Sequence, residues 1–343
     1  MISPLRCGVD TLEATFDGEI PEEIVEELNK RKSLAIASGQ PNKLMLGGQM
    51  FHMSPKGGGF WPFSIRNDDM ILRVGTAKHI PKMSVHLLAQ GLAELGVVNL
   101  WARVLKVADD LELKFLNCTR LDIALDYQGE FFSFEDSLNV TCPSSFRPIY
   151  PNTSNPETYQ FGKGDMVVRV YRKSVEIVVK GNEWWVFVWR ICPGYCEGEP
   201  VHRVEVQLRG KVLRELGFFA VERIVDNLPD LFAYGLDWCS LRTPTDDSNK
   251  SRWPEDPRWT VLRTAFSPSH PLRRLRPAQS IIEYDKAVKR MVSLLAYAGA
   301  AVDSTDFWPM AEALTTDAEQ LIEREMETSF EALVEKKRKQ KYL

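Results

Sequence analysis

Residues 119–127 read TRLDIALDY, residues 166–173 read MVVRVYRK, and residues 202–209 read HRVEVQLR. In all three segments apolar and polar side chains alternate, and residues two apart in a β-strand lie on the same face of the sheet. The alternation predicts three strands that each turn an apolar face toward the core. Their polar faces carry Arg120, Asp122 and Asp126, then Arg169, Tyr171 and Lys173, then Arg203, Glu205, Gln207 and Arg209.

The residues before these segments predict more of an α+β fold. Residues 5–16 alternate like a strand, and Pro21 followed by two glutamates marks the start of an amphipathic helix. Short strands separated by glycine and Asn-Asp turns predict an antiparallel meander over residues 44–75. A serine-capped helix is expected over residues 84–95, and a second helical stretch over residues 99–109. We therefore expect a central antiparallel sheet flanked by helices.

Composition excludes several classes of protein. The chain has 343 residues, of which 44% are hydrophobic and 26% charged, as in globular proteins rather than collagen-like or disordered ones. It has no apolar run of about 18 residues and no charged-then-apolar start, so we expect a cytoplasmic protein without a membrane segment.

The six cysteines are scattered, and the close pair Cys192 and Cys196 lacks the second pair that a zinc site needs. Reduced thiols are therefore expected.

The C-terminal part differs in character from the strand segments. A boundary is predicted near Pro244, so that residues 1–243 form one domain and residues 244–343 form a Pro-, Trp- and Arg-rich loop followed by helices. The net charge is −4, yet residues 263–276 carry four arginines and no acidic residue, and residues 335–341 are also basic. Such runs are common on solvated surfaces, and they also suit contacts with nucleic acid.

The polar strand faces allow two interpretations. If the strands are neighbours, Asp122, Glu205 and Asp126 could hold a hard divalent cation such as Mg²⁺, which prefers carboxylate oxygens. Tyr171 could then attack a phosphate, and cations on the same faces could neutralise the charge of the phosphoryl group. Those cations are Arg169, Lys173 and Arg203. The other interpretation is a half-exposed sheet whose charges form cross-strand pairs in water, and the alternation alone is compatible with both.

The strand segments and their flanking residues form an ordered set of motifs. These are TRLDIALDY (119–127), TYQFGKGDMVVRVYRKSVE (158–176) and HRVEVQLRGKVLRELG (202–217), with the patterns T-R-x-D, R-x-Y-x-K-x-x-E and R-x-E-x-x-L. GGFWPFSI (58–65) and RWPEDPRW (252–259) accompany them. The set resembles the replication initiation factor family, which includes rolling-circle initiators of plasmids, replication proteins of filamentous phages and relaxases of integrative elements. The resemblance extends over residues 44–259 and leaves the C-terminal helices outside it.

The resemblance implies a metal-dependent enzyme that nicks and joins one DNA strand at a replication origin. We expect this activity in residues 1–243, and DNA binding or assembly in residues 244–343. In such an enzyme a tyrosine hydroxyl attacks a phosphodiester and leaves a 5′ phosphotyrosine and a free 3′ hydroxyl. Tyr171 matches the tyrosine of R-x-Y-x-K and is the expected nucleophile. Asp122 and Glu205 match the acidic positions and are the expected ligands of Mg²⁺ or Mn²⁺, with Asp126 as a third candidate. The chain lacks the His-hydrophobic-His motif of other rolling-circle nucleases.

Tyr159 is a rival nucleophile, because TYQFGKG also lies on a predicted strand. We prefer Tyr171, since Arg169 and Lys173 flank it on one face and can stabilise a phenolate. Glu176 is expected either to cap the following turn or to contact a cation.

The expected partner is origin DNA, in double- and single-stranded form. Phosphate contacts are predicted from five arginines, Arg252, Arg258, Arg273, Arg274 and Arg276. Trp253 and Trp259 beside the first two of these suit DNA-backbone contacts or, equally, a structural staple of the loop. The aromatic run over residues 184–189 suits base stacking or core packing. A host helicase is a further partner that the family implies, and an apolar stripe over residues 321–333 suits a homodimer.

Two other functions stay open at this point. The first is a non-catalytic DNA-binding relative, such as a phage or plasmid regulator, in which Tyr171 is dispensable. The second is a metal-independent hydrolase that uses Asp122 and Glu205 as a carboxylate pair.

Overall fold

The chain folds into two compact units. The computed structural model describes residues 2–130, 132–152, 155–274, 279–324 and 328–341. The units comprise residues 1–275 and 276–343. The first unit is an α+β structure built on a large antiparallel sheet with helices, as the sequence predicts, and the described residues of the second unit are helical.

One large sheet forms the centre of the first unit. The strands, in chain order, are β1 (Ser3–Gly18), β2 (Asn42–Leu46), β3 (Gln49–Met53), β4 (Phe63–Arg66), β5 (Met70–Val74), β6 (Met83–Leu87), β7 (Leu113–Gln128), β8 (Val140–Thr141), β9 (Ile149–Asn152), β10 (Asn155–Phe161), β11 (Met166–Arg172), β12 (Val201–Arg209) and β13 (Ser240–Leu241). The sheet has the order β2-β3-β4-β5-β6-β1-β7-β12-β11-β10-β9, with antiparallel neighbours throughout. β8 and β13 pair separately.

Helices connect and cover these strands. In the first unit they are α1 (Glu22–Ser38), α2 (Ala89–Asp110), α3 (Phe134–Leu138), α4 (Lys173–Lys180), α5 (Trp185–Arg190), α6 (Gly210–Glu215), α7 (Val221–Asp226), α8 (Leu228–Trp238) and α9 (Pro257–Thr264). In the second unit they are α10 (Gln279–Ala301), α11 (Phe307–Arg324) and α12 (Phe330–Lys341).

The long strands β1 and β7 bring the middle of the sheet together. Their pairing runs from Ser3 opposite Gln128 to Gly18 opposite Leu113. β12 pairs with the other edge of β7, and β11 pairs with β12, so the predicted strands are confirmed as neighbours. Their apolar faces are fully buried in the main core through Leu121, Ile123, Leu125, Val168, Val170, Val204, Val206 and Leu208. Each such side chain contributes about 1.5–3 kcal/mol when it is removed from water.

Helix α8 packs closely on β12 at Gly235. A Cβ atom at this position would lie 2.2 Å from Cγ1 of Val206. We expect Gly235→Ala to lower the free energy of unfolding by about 1–3 kcal/mol, the usual consequence of overpacking. Urea denaturation measures the difference. Gly8→Ala is the matched control, because its Cβ would meet only the end of the Arg6 side chain at 4.0 Å, and an equal loss in both variants would contradict the packing argument.

His202 lies on the core face of β12, with its ring 5.4 Å from that of Tyr127. Burial and the charge of Arg172 lower its pKa from 6.5 to about 4. The unfolded chain therefore binds a proton near pH 6.5 while the folded protein does so only near pH 4, and stability is lost as the pH falls through this window. We expect the unfolding free energy to fall by roughly 2 kcal/mol between pH 7 and 5 because of this group.

Denaturation curves of the wild type and His202→Gln across this pH range measure that contribution. The variant should have the flatter pH dependence, since its residue 202 does not titrate. Identical slopes would show that the imidazole is protonated equally in both states.

The prediction for residues 84–95 is wrong at its beginning. Residues 83–87 form β6, in which every second side chain is buried. The helical segment α2 begins at Ala89, and its backbone is non-helical at Gly96, where φ is 75° and two helices meet at a kink, so the break between the two predicted helical stretches is confirmed. The period-two pattern of MSVHL and its pairing with β1 and β5 outweigh the capping preference of the serine.

Residues 244–274 belong to the first unit. Trp259 is 1% exposed in the main core, and its indole donates to the carbonyl of Leu236 at 3.1 Å. The compact units divide after residue 275, whereas the predicted boundary lies near Pro244. The assignment of separate roles to the two predicted domains stays a prediction.

The second unit consists of α10, α11 and α12 in its described residues. α10 and α11 contact each other along an apolar groove that includes Met291, Leu294 and Leu314. Leu321 and Phe330 of the predicted stripe are exposed. Across both units, none of the helices in the described ranges combines the length and the hydropathy needed to cross a bilayer.

Candidate active site

β7, β12 and β11 place their polar faces side by side. The register puts Tyr171 opposite Arg203 and Arg169 opposite Glu205. Across the other edge of β12, Arg203 lies opposite Asp126. The carboxylates, the phenol and the cations that the sequence assigns to these faces therefore form one surface.

This surface is buried rather than open to water. Asp122 and Arg203 are 1% exposed, and Glu205 is 7% exposed. α4 continues directly from β11 and contacts β12, while Trp185 of α5 lies 4.5 Å from the Arg203 guanidinium. The half-exposed-sheet interpretation is therefore wrong for these carboxylates and for Arg203, whereas the cross-strand charge pairs that it predicts are present between Arg169 and Glu205 and between Arg203 and Asp126. Buried charges need partners, and the pairing of these groups decides what each can do.

The hydroxyl of Tyr171 donates to Oε2 of Glu205 at 3.0 Å. Burial and the charge of that carboxylate raise the pKa of Tyr171 well above its usual range. Lys173 lies 5.8 Å from the centre of the phenol ring. The phenol is thus neutral at rest and already bonded to a group that can accept its proton.

Glu205 also pairs with Arg169. Nη1 of Arg169 lies 2.8 Å from Oε1 of Glu205, and the same guanidinium donates to Gln160 and Gln207. One carboxylate oxygen therefore accepts from a cation and the other from the phenol, which fixes the orientation of both donors.

Asp122 is held by Arg120 through two hydrogen bonds on the same strand. Its pKa is raised to about 7, because burial and the nearby Glu205 carboxylate outweigh the hydrogen bonds and charge of Arg120. Burial therefore disfavours the charged form of Asp122 more than its pairing with Arg120 favours it.

These groups line a polar cavity of about 370 Å³. Five of the predicted site residues contribute to it, namely Asp122, Arg169, Tyr171, Lys173 and Glu205. The other lining residues are Asp10, Thr11, Arg120, Thr158, Glu176 and Lys180. The geometry can accommodate a phosphate group between the phenol and the cations.

Arg203 and Asp126 lie beside this cavity rather than in its lining. The Arg203 guanidinium makes two hydrogen bonds to Asp126 and one to Asp10. The indole of Trp189 donates to Asp126 at 2.9 Å. Both oxygens of Asp126 are therefore engaged, and Arg203 acts through the groups that it positions.

The donor set can be compared with what Mg²⁺ requires. In the described part of the chain, no three His, Cys, Asp or Glu side chains are grouped to hold a metal. Mg²⁺ is commonly held by one or two carboxylates together with substrate phosphates and water. Asp122 and Glu205 line the cavity and fit such a site, where a bound cation would replace donors that now reach their oxygens. Asp126 lies outside the cavity lining and is not placed to be a third ligand.

Glu176 contacts cations rather than capping the turn. Lys173 Nζ lies 2.6 Å from its Oε2 and Lys180 Nζ 2.5 Å from its Oε1, and the N-terminus of α4 has no side-chain cap. Burial and the charge of Arg203 lower the pKa of Lys173. The Lys173 ammonium is thereby fixed at the edge of the cavity.

Asp10 and Thr11 were missed by the sequence analysis. The pairing of β1 with β7 shifts register between Val9 and Thr11, as at a β-bulge. A bulge redirects side chains beyond what strict alternation predicts. Asp10 reaches both the cavity and Arg203 for this reason.

Tyr159 lies on the opposite face of the sheet. Thr158, not Tyr159, pairs with Tyr171 and lines the cavity. The Tyr159 ring is 2% exposed and packs 5.0 Å from that of Phe132 in the main core. This geometry favours Tyr171 as the reactive tyrosine.

The predicted DNA-binding arginines differ in their surroundings. Arg252 is exposed and lies 3.6 Å from Asp247, and Arg273 is exposed. Arg258 pairs with Asp136, Asp256 and Glu130. The indoles of Trp253 and Trp259 donate to the carbonyls of Asp247 and Leu236, which favours the structural-staple alternative for these two tryptophans. Arg274 donates to Tyr234 and Glu215. Arg276 lies outside the described residues, and DNA contact by any of the five stays a prediction.

The comparisons with known proteins include a likeness of architecture to a solved structure. No protein-family model matches the sequence, and no curated protein matches it. The fold is similar to a solved structure described as the rolling circle replication initiator protein from Geobacillus stearothermophilus, with a TM-score of 0.47 and 20% identity. The match covers 79% of this chain and 98% of that chain. A likeness at this level assigns no role to any residue of this chain.

Proposed function

We propose that this chain is a rolling-circle replication initiator, a metal-dependent enzyme that nicks and rejoins one strand of origin DNA through Tyr171. The observation that carries the proposal is the hydrogen bond from Tyr171 to Glu205 in a polar cavity beside Arg169 and Lys173. A phenol, an acceptor for its proton and cations for a phosphoryl group are the requirements of a tyrosine transesterase. The motifs shared with the replication initiation factor family support the same function.

Glu205 is the proposed acceptor of the phenolic proton. The Tyr171 oxygen attacks the phosphorus, a new P–O bond forms, and the bond from phosphorus to the 3′ oxygen breaks. The proton that Glu205 takes from Tyr171 passes to the 3′ oxygen, which leaves a 5′ phosphotyrosine and a 3′ hydroxyl. Because the pKa of Tyr171 is raised, the phenol loses its proton during the attack rather than before it. In joining, the 3′ hydroxyl gives its proton to Glu205 as it attacks the phosphotyrosine, the bond from phosphorus to the Tyr171 oxygen breaks, and Glu205 passes the proton to Tyr171.

Arg169 and Lys173 are the proposed charge-neutralising groups. Both line the cavity, and both are held by carboxylates, Arg169 by Glu205 and Lys173 by Glu176. Cations that are already oriented lower the barrier without rearranging in the transition state. Arg203 is a positioning residue in this scheme, since it holds Asp126 and Asp10.

Asp122 and Glu205 are the proposed ligands of Mg²⁺ or Mn²⁺, which would polarise the phosphoryl oxygens. The raised pKa of Asp122 is consistent with this proposal, because burial and the Glu205 carboxylate disfavour its charged form and a divalent cation would favour that form.

Origin DNA in double- and single-stranded form is the proposed partner in the cytoplasm. Exposed arginines such as Arg252 and Arg273 would contact phosphates, which position the duplex without reading its sequence. A host helicase and a second copy of the chain are further proposed partners.

The experiment is incubation of the purified full chain with supercoiled DNA of its own replicon, with Mg²⁺ or Mn²⁺ or with a chelator. Denaturing gels then detect nicked DNA and protein covalently attached to its 5′ end. We expect both products with metal and a decrease of about 100-fold with the chelator, because Arg169 and Lys173 alone then face the phosphoryl charge. A parallel binding assay without metal separates loss of chemistry from loss of binding.

Three other outcomes overturn parts of this proposal. Binding without any nick or adduct would favour a DNA-binding regulator. Nicking without an adduct would exclude a tyrosine intermediate. Equal adduct formation with the chelator would exclude the metal.

A further inference from the structure

Cys142 and Cys239 lie opposite each other at the end of the small sheet formed by β8 and β13. The register pairs Leu241 with Val140 and Ser240 with Thr141. One further step along both strands places Cys239 opposite Cys142. All six cysteines of the chain are free thiols, and neither member of this pair lines the candidate active-site cavity.

The hydrogen-bond pattern defines the geometry of this pair. The amide of Arg242 donates to the carbonyl of Asn139 at 3.1 Å, so these two residues form a hydrogen-bonded pair. Such pairs alternate with non-hydrogen-bonded ones along an antiparallel ladder, which makes Cys142 and Cys239 a non-hydrogen-bonded pair. In pairs of that type the Cα atoms are about 4.5 Å apart. That separation is within the range of roughly 4.4–6.8 Å that disulfides span.

The two thiols have different surroundings. Cys142 is partly exposed, whereas Cys239 is fully buried in the main core. A hydrogen bond from the Cys239 thiol is the largest of the effects that lower the pKa of Cys142 to about 7, and the charge of Arg147 acts in the same direction. Burial is the main cause that raises the pKa of Cys239 well above its usual value. The accessible thiol is thus the more reactive one, and its neighbour is shielded from solvent.

We propose that Cys142 and Cys239 are a thiol modification site, at which a peroxide converts the pair into a reversible disulfide. The Cys142 thiolate attacks one peroxide oxygen, so that an S–O bond forms, the O–O bond breaks and hydroxide leaves with a proton as water. The Cys239 sulfur then attacks the Cys142 sulfenic acid, an S–S bond forms, and a second water leaves with the Cys239 proton. Two thiols are oxidised and one peroxide is reduced to two waters.

The disulfide would tie two distant parts of the chain together. Cys142 follows α3 and β8, and Cys239 follows α8 and immediately precedes β13. The same neighbourhood anchors the arginine-containing loop, since Arg242 donates to Thr141 and to the carbonyl of Trp253. Oxidation therefore fixes the base of that loop, independently of the nicking chemistry.

The test uses the purified, fully reduced full chain with and without hydrogen peroxide, followed by alkylation in denaturant and peptide mass spectrometry. We expect one cross-linked peptide containing residues 142 and 239, with loss of alkylation at both and a mass lower by two hydrogen atoms. A thiol reductant should restore both alkylated peptides. In the reduced native protein, Cys142 should react with iodoacetamide at a rate that rises through about pH 7, as its lowered pKa requires.

Variants make the assignment specific. Cys142→Ser should abolish the cross-link, whereas Cys196→Ser, which removes an exposed thiol elsewhere, should leave it intact. The wild-type peptide map does not depend on how well any variant folds. Full alkylation of both thiols after peroxide, a cross-link between other cysteines, or oxidation of Cys142 to sulfinic acid without a cross-link would each overturn the proposal.

Discussion

Tyr171→Phe is expected to remove all covalent protein–DNA adduct and all nicking at the origin. The variant lacks only the hydroxyl that donates to Glu205 at 3.0 Å. Without that oxygen no phosphotyrosine can form, and the remaining groups of the cavity have no nucleophile to activate. The measurement is the denaturing gel described above, with Mg²⁺ present and with DNA binding assayed in parallel.

Tyr159→Phe is the matched control for this change. It removes the same atom from a tyrosine that lies on the core face of the neighbouring strand β10. We expect the adduct to persist in this variant, with a loss of stability of about 1 kcal/mol for the altered hydroxyl. If the adduct persists in Tyr171→Phe and is lost in Tyr159→Phe, the nucleophile is Tyr159 rather than Tyr171. Circular dichroism of both proteins separates loss of chemistry from loss of fold.

Arg203→Ala is expected to lower the free energy of unfolding by about 3–5 kcal/mol, the range for breaking a buried ion pair from one side. Arg203 is 1% exposed and holds both Asp126 and Asp10. Its removal leaves two carboxylates in the interior without their main cation. Urea denaturation at pH 7 measures the loss.

A surface arginine provides the comparison. Arg252 forms an ion pair with Asp247 at 3.6 Å but is 71% exposed, so Arg252→Ala should cost less than about 1 kcal/mol. The double variant Arg203→Ala/Asp126→Asn should recover part of the loss, because one of the orphaned charges is then neutral. Equal effects at positions 203 and 252, or no recovery in the double variant, would show that the buried network does not stabilise the fold.

The alternation in the three strand segments was sufficient to predict which side chains share a face. Side-chain direction in a strand depends on parity alone, so Asp122, Tyr171 and Glu205 could be grouped from the sequence. The alternation could not predict that this polar face is buried, because the face is covered by helices α4 and α5, which lie outside the alternating segments. In the aromatic run over residues 184–189, Trp185 and Trp189 are buried at helical spacing, and Phe187 is exposed.

Asp10 could not be predicted from the sequence as a residue of the cavity. Its position there depends on a register shift in β1 that no local sequence pattern predicts. The engagement of Asp126 by Trp189 is likewise a contact between elements far apart in sequence. Residue types and periodicity predict faces, whereas bulges and long-range partners decide which members of a face reach the substrate.

The central position of β7 has a consequence for how the protein folds during synthesis. β7 pairs with β1 on one side and β12 on the other, and Ser3 pairs with Gln128 across more than a hundred residues of chain. Strands so far apart in sequence pair slowly, because the chain loses the entropy of loop closure before the stabilising contacts between the strands form. Until residue 209 has left the ribosome, one edge of β7 has no strand to pair with. A nascent chain that ends before β12 exposes the unpaired edge of β7, to which strands of other chains can pair. Prompt synthesis of β12 therefore protects the nascent chain from aggregation.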